Sequence, residues 1–147
     1  MSNLVLAFMD SDKFAARAIR TLTWSDYSHV GILTKGDQIV DSRFLADGVT
    51  EYPFDDARLE HPRVLCREYN IPAVSVIEAA RSQIGKPYDW TAVCGVALHR
   101  DWTEPNKWFC SELVAWAAAC AGIPMLIKEY GRVTPQDLLQ IPFIRQW

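Results

Sequence analysis

Apolar residues fall into two kinds of pattern along this chain, continuous short runs in the first half and helical spacing in the second. Leu4 to Phe8 is an unbroken apolar stretch of strand length, whereas Lys13 to Leu22 sets Phe14, Ala18, Ile19 and Leu22 at the intervals of one helical face. Tyr27 to Leu33 and Gln38 to Phe44 are rich in β-formers and flank a Lys35, Gly36, Asp37 turn, which predicts a hairpin. Val49 to Phe54 and Val64 to Tyr69 read as further strands, separated by a charged loop containing Pro62.

From Val74 the period changes. Val74, Ile77, Ala80, Arg81 and Ile84 form a helical series stopped by Gly85 and Pro87, and Trp90 to Leu98 predicts a second, short helix. After a polar and aromatic stretch from His99 to Trp108, Phe109 to Ala121 is the strongest helical run, ended by Gly122 and Pro124, and Pro135 to Gln140 closes the series with a helical turn. Strands followed by helices, with no repeat and no linker, imply an α+β fold: an antiparallel sheet packed against helices in one domain over residues 1–147. At 147 residues, half of them apolar, the chain can bury one continuous core.

Charge narrows the partners. A net charge of -3 and a pI near 5.6 give no electrostatic reason to expect nucleic acid or an anionic membrane. Met1 to Phe8 has no basic leader and no window is long enough to span a bilayer, so the expected location is cytoplasmic, with no integral membrane anchor. The four cysteines form no CxxC pair, which argues against a zinc site, and neither metal nor cofactor is expected.

The four thiols are not equivalent. Cys110 opens the strongest helix, where unpaired N–H groups and the positive end of the helix dipole favour a thiolate. Cys120, in the last turn of that helix, and Cys94, within an apolar run, read as core, and Cys66 sits in a predicted strand with no dipole end to activate it. A nucleophilic thiolate needs a proton carrier, for which histidine is suited. His61 before Pro62 and His99 beside Arg100 read as solvent-exposed.

His29 lies inside the apolar run Ser28 to Ile32, where a polar ring must find a partner. With Thr34, Lys35 and Gly36 as the hairpin loop, Leu33 pairs with Asp37 and His29 falls opposite Asp41, about 5 Å away between Cβ atoms. Asp41 would then hold one ring nitrogen and leave the other for the Cys110 sulfur. A one-residue slip would reverse the faces, and a core histidine satisfied by a backbone carbonyl remains the alternative on these residues alone.

Four segments carry a resemblance to a known family: Ser28, His29, Val30, Gly31, Ile32; Ile84, Gly85, Lys86, Pro87, Tyr88, Asp89; Phe109, Cys110, Ser111, Glu112, Leu113, Val114; and Val133, Thr134, Pro135, Gln136, Asp137, Leu138. In order and spacing the chain resembles the permuted NlpC-type papain-like enzymes, which include the bacterial YiiX-like proteins and lecithin:retinol acyltransferase. The resemblance implies a papain-like fold with histidine, third polar residue and cysteine in that order, here His29, Asp41 and Cys110. By the same resemblance Tyr88 matches a tyrosine placed to donate to an oxyanion, with packing on the core as the other possibility. Glu112 is expected to serve the helix end rather than the chemistry. Trp90, Trp102 and Trp108 stand near Cys110 in sequence, and Trp102 and Trp108 are further candidates to line a substrate groove.

The function expected is a cysteine-dependent, amidase- or peptidase-like hydrolase that attacks the amide or ester carbonyl of a peptide-like or acyl-containing small substrate through a thioacyl intermediate. An acyltransferase with the same Cys and His, or a silent binding domain of a bacterial or phage particle, are the alternatives. A metal site built on Cys110 and His29 lacks further ligands at a recognisable interval.

Overall fold

A computed structural model of the chain describes residues 2–44, 48–91, 94 and 106–147. Strand β1 (Asn3–Asp10) is followed by helix α1 (Phe14–Thr23), the hairpin β2 (His29–Thr34) and β3 (Gln38–Arg43), and β4 (Gly48–Pro53). Helix α2 (Phe54–Glu60) leads into β5 (Arg63–Pro72) and α3 (Ala73–Arg81). Helix α4 (Cys110–Cys120), a 3-10 turn (Tyr130–Arg132), α5 (Pro135–Leu139) and β6 (Arg145–Gln146) complete the described elements.

The strands form one six-stranded sheet in the order β4-β3-β2-β1-β5-β6, and every pairing is antiparallel. The expected α+β class, an antiparallel sheet packed against helices, is what the structure shows. β1 lies inside the sheet, and its unbroken apolar run has a direct cause: Leu4, Leu6 and Phe8 enter the larger core with α3 and α4, while Ala7 and Met9 enter a smaller one with Phe54 and Ala57 of α2. A strand buried on both faces cannot alternate apolar with polar.

Several local expectations change. The charged loop before Pro62 is helix α2, with Pro53 at its cap, Asp55 and Asp56 in its first turn and Arg58 in its last, a charge order that matches the helix dipole. In α1 the inward face is Ala16, Ile19 and Thr23, and Phe14 stands out in solvent. The helix predicted over 90–98 is seen at Trp90, Thr91 and Cys94, and the rest of it lies outside the described residues. Cys120, expected in the core, is exposed, because the last turn of α4 has passed the edge of the packed layer.

Candidate active site

β2 and β3 bring the first pair together. The hairpin pairs Thr34 with Gln38, Leu33 with Ile39 and Ile32 with Val40, so the loop is Lys35, Gly36 and Asp37, with Gly36 and Asp37 both left-handed at φ 76° and 54°. This register differs by two residues from the expected one, and an even shift keeps every side chain on its face. His29 and Asp41 are therefore diagonal neighbours rather than a directly opposed pair. Their side chains still meet, with His29 Nε2 2.7 Å from Asp41 Oδ2. Gly31 fills the position opposite Asp41 on that register, and a Cβ there would stand 2.6 Å from Ile39 Cδ1 and 3.0 Å from Asp41 Cβ. The missing side chain keeps the diagonal open.

Asp41 is buried and accepts a second bond on Oδ2, from the Tyr52 hydroxyl at 2.8 Å, while Oδ1 has no partner among the described residues. A buried carboxylate so placed favours a positive neighbour. Burial alone would strip the proton from His29, but the charge and hydrogen bond of Asp41, joined by the hydrogen bond and charge of Cys110, push its pKa up to about 10. With Nε2 engaged by Asp41, Nδ1 is the nitrogen left to face Cys110.

Cys110 reaches His29 from another layer. It is the first residue of α4, buried at the helix tip, with Phe109 as the preceding cap. Glu112 takes the structural part expected of it: its carboxylate accepts from the Phe109 N–H at 3.4 Å. Ser111, next to the sulfur-bearing residue, donates to the Val133 carbonyl at 2.5 Å, and Thr134 caps α5 by accepting from the Asp137 N–H at 3.2 Å. The Val133 to Leu138 segment thus anchors the start of α4.

The Gly85 to Asp89 segment has a comparable task. Gly85 N–H donates to the Val49 carbonyl at 3.0 Å and Val49 N–H to the Lys86 carbonyl at 2.9 Å. Trp108 N–H then donates to the Pro87 carbonyl, and Asp89 N–H to the Trp108 carbonyl, each at 2.9 Å. Tyr88 is held between β4 and the approach to α4. Burial first, then the negative charges of Cys110 and Asp89, raise its phenol well above the usual value, so it stays a hydrogen-bond donor at neutral pH.

Of the aromatic groove candidates, Trp108 is a correction. It is buried against Trp116 and Tyr130, with ring centroids 4.9 and 6.4 Å away, and its indole N–H donates to Gln83 Oε1 at 3.1 Å. Its carbonyl also accepts from the Ser42 hydroxyl at 2.6 Å. It braces the site from the core, because every polar group it has is satisfied there. Trp102 lies outside the described residues, as does His99.

His61 is the residue the sequence hid. It is half-buried rather than solvent-exposed, and its ring stacks on that of His29 with centroids 5.2 Å apart and planes 14° from parallel. Burial and the charge on His29 press its pKa down to about 4, which leaves it neutral beside a charged partner. Pro62 and the neighbouring charges mask this in sequence, since the stack depends on where α2 ends. Cys66 is buried, and that burial raises its thiol pKa.

Among solved structures, the chain is similar to the metalloprotein yiiX from Escherichia coli O157:H7, with a TM-score of 0.71 over 100% of this chain and 96% of that one, at 17% identity. The two share a fold. No protein-family model matches the chain, and no curated protein matches it. Among the described residues no helix is long and apolar enough to cross a membrane. Among the same residues no group of three or more His, Cys, Asp or Glu is placed to hold a metal ion. The described residues do not by themselves make up a metal centre of the kind the word metalloprotein implies for yiiX.

Proposed function

We propose that the chain is a thiol hydrolase of amidase or peptidase type, in which Cys110 attacks an amide or ester carbonyl, His29 carries the proton and Asp41 orients it. The observation that carries this reading is the buried 2.7 Å bond from His29 to Asp41, with Cys110 acting on the same ring from the tip of α4. His29 enters the reaction as an imidazolium and Cys110 as a thiolate. The sulfur adds to the carbonyl carbon and the carbonyl oxygen becomes an oxyanion, which takes hydrogen bonds from the Cys110 N–H and the Tyr88 hydroxyl. As the carbon–nitrogen or carbon–oxygen bond breaks, His29 gives its proton to the leaving group and a thioester remains on Cys110. His29, now neutral, takes a proton from water as that water attacks the thioester. The acid product leaves and the ion pair is restored. With another hydroxyl or amine in place of water, the same steps make an acyltransferase.

The test is competitive alkylation of the folded chain with iodoacetamide at mildly acidic pH, read site by site by mass spectrometry. Cys110, although buried, is expected to react about tenfold faster than the exposed Cys120 and faster still than Cys66. His29→Ala is expected to erase that preference. A Cys110 no faster than Cys120, or a preference that survives His29→Ala, would return the domain to a silent binding role.

A further inference from the structure

A cavity of about 330 Å³ opens beside His29, and Ser11, Lys13, Ala15, Ala16, Arg43 and His61 are among the residues that line it. Helix α1 starts on this cavity. Its first turn begins with the Arg17 N–H bonded to the Lys13 carbonyl at 3.1 Å, so the N–H groups of Phe14, Ala15 and Ala16 precede any intrahelical partner. Its cap residue, Lys13, makes no side-chain cap bond, and its first turn holds no acid.

A bare helix tip alone identifies nothing, but two side chains on the same cavity point the same way. Ser11 is 7% exposed, and among the described residues its hydroxyl has no hydrogen-bond partner. Nδ1 of His61 is likewise buried, and among the described residues it has no partner. An unpaired buried polar group is costly unless something outside the chain satisfies it. The backbone N–H groups can only donate, the Ser11 hydroxyl can donate, and so can His61 Nδ1 in one of its two neutral tautomers, so a single acceptor would satisfy all of them. Charge narrows the choice further. Glu60 is ion-paired with Arg43, which cancels those two, and Lys13 remains at the mouth, near enough for its charge to be felt at Glu60 and His61.

We propose that this cavity is an anion subsite, in which the Ser11 hydroxyl, the first N–H groups of α1 and the Lys13 ammonium receive a carboxylate or phosphate group of the substrate. The subsite stands on its own geometry. It rests on the Cys110 and His29 reading only in making the bound anion part of the molecule whose carbonyl is attacked, so the substrate class becomes an acyl compound or peptide bearing an acidic group near the scissile bond.

The experiment is an amide NMR titration of the full chain with succinate, with inorganic phosphate, and with neutral succinamide as control. Binding needs no turnover, so it stands or falls independently of the hydrolase reading. Saturable shifts of the Ala15 and Ala16 resonances with an anion, absent with succinamide, are expected. Ser11→Ala should weaken the apparent affinity about three- to tenfold, with the rest of the spectrum reporting an intact fold. Lys13→Gln, at an exposed position, should weaken it and flatten its salt dependence. Response to succinate marks a carboxylate subsite and response to phosphate alone a phosphate subsite. Unmoved Ala15 and Ala16 resonances with both anions, or affinities unchanged in both variants, would overturn the proposal.

Discussion

Asp41 does more at this site than any other single residue, because it sets both the orientation and the charge of His29. The His29 value in the fold, about 10, lies above the 6.5 of the free side chain, so the stability gained from holding that proton is complete below about 6.5 and drains away as pH climbs through 10. Asp41→Asn keeps the shape and removes the charge, after which burial wins and His29 loses its proton at lower pH. The stability gap between wild type and variant, from urea melts in a pH series, should be wide below about pH 6.5 and narrow as pH climbs towards 10. A gap that does not change with pH would remove Asp41 from this role. Tyr52→Phe tests the next contact outward: it deletes the 2.8 Å bond to Asp41 and should cost about 0.5–1.5 kcal/mol in the same melts. His29, Asp41 and Cys110 were legible in the sequence because each breaks a local rule, a polar ring and an acid in apolar strands and a thiol at a helix tip. Tyr52, Ser11 and His61 break none, and only the packing of α2 and the start of α1 shows what they touch.

Two glycines separate what a β-strand tolerates from what an element junction requires. Gly48 sits at φ 81°, and a Cβ there would lie 2.0 Å from the Lys86 carbonyl oxygen, a backbone atom held by its bond to Val49. Gly48→Ala therefore adds left-handed strain of about 1–3 kcal/mol to a clash that nothing soft can absorb. Gly31→Ala meets side-chain atoms only, Ile39 Cδ1 at 2.6 Å and Cγ1 at 2.8 Å with Asp41 Cβ at 3.0 Å, and needs no left-handed backbone. Urea melts should rank Gly48→Ala as the more damaging change, and Gly31→Ala should lose more Cys110 labelling than its stability loss explains, since its Cβ crowds Asp41. The reverse ranking would mean that the Lys86 to Tyr88 segment is not fixed by β4. The hairpin also shows what sequence reasoning can reach at this scale. Its existence and its faces follow from apolar periodicity, but the register depends on which three residues turn, and the left-handed Gly36 and Asp37 decide that. α2 leaves no helical period in the sequence although Pro53, Asp55, Asp56 and Arg58 mark both its ends, because seven residues hold too few apolar positions to show one.

At the scale of the molecule, the sheet separates two cores, and the site lies where strands, α4 and the end of α2 converge. His29 and Asp41 share the face of the smaller core by register, with Met9 paired to His29 and Ile39 to Tyr52, while Cys110 arrives on the helix that packs the larger core. Such a site is assembled only when both layers are in place. That geometry predicts one cooperative unfolding unit, and the buried cysteine on the smaller side can report it. Leu113 is fully buried in α4, so Leu113→Ala should destabilise by about 2–5 kcal/mol. Cys66 lies across the sheet, in the smaller core, a cluster separate from that of Leu113 among the described residues. If the two layers open together, Cys66 alkylation in the native state should accelerate in Leu113→Ala by the factor by which the global unfolding constant rises, on the order of 30-fold or more. A Cys66 rate that stays at the wild-type value while the urea midpoint falls would show that the α2 layer holds its fold without α4. His29 and Cys110 would then be brought together by docking of two separately stable layers rather than by folding.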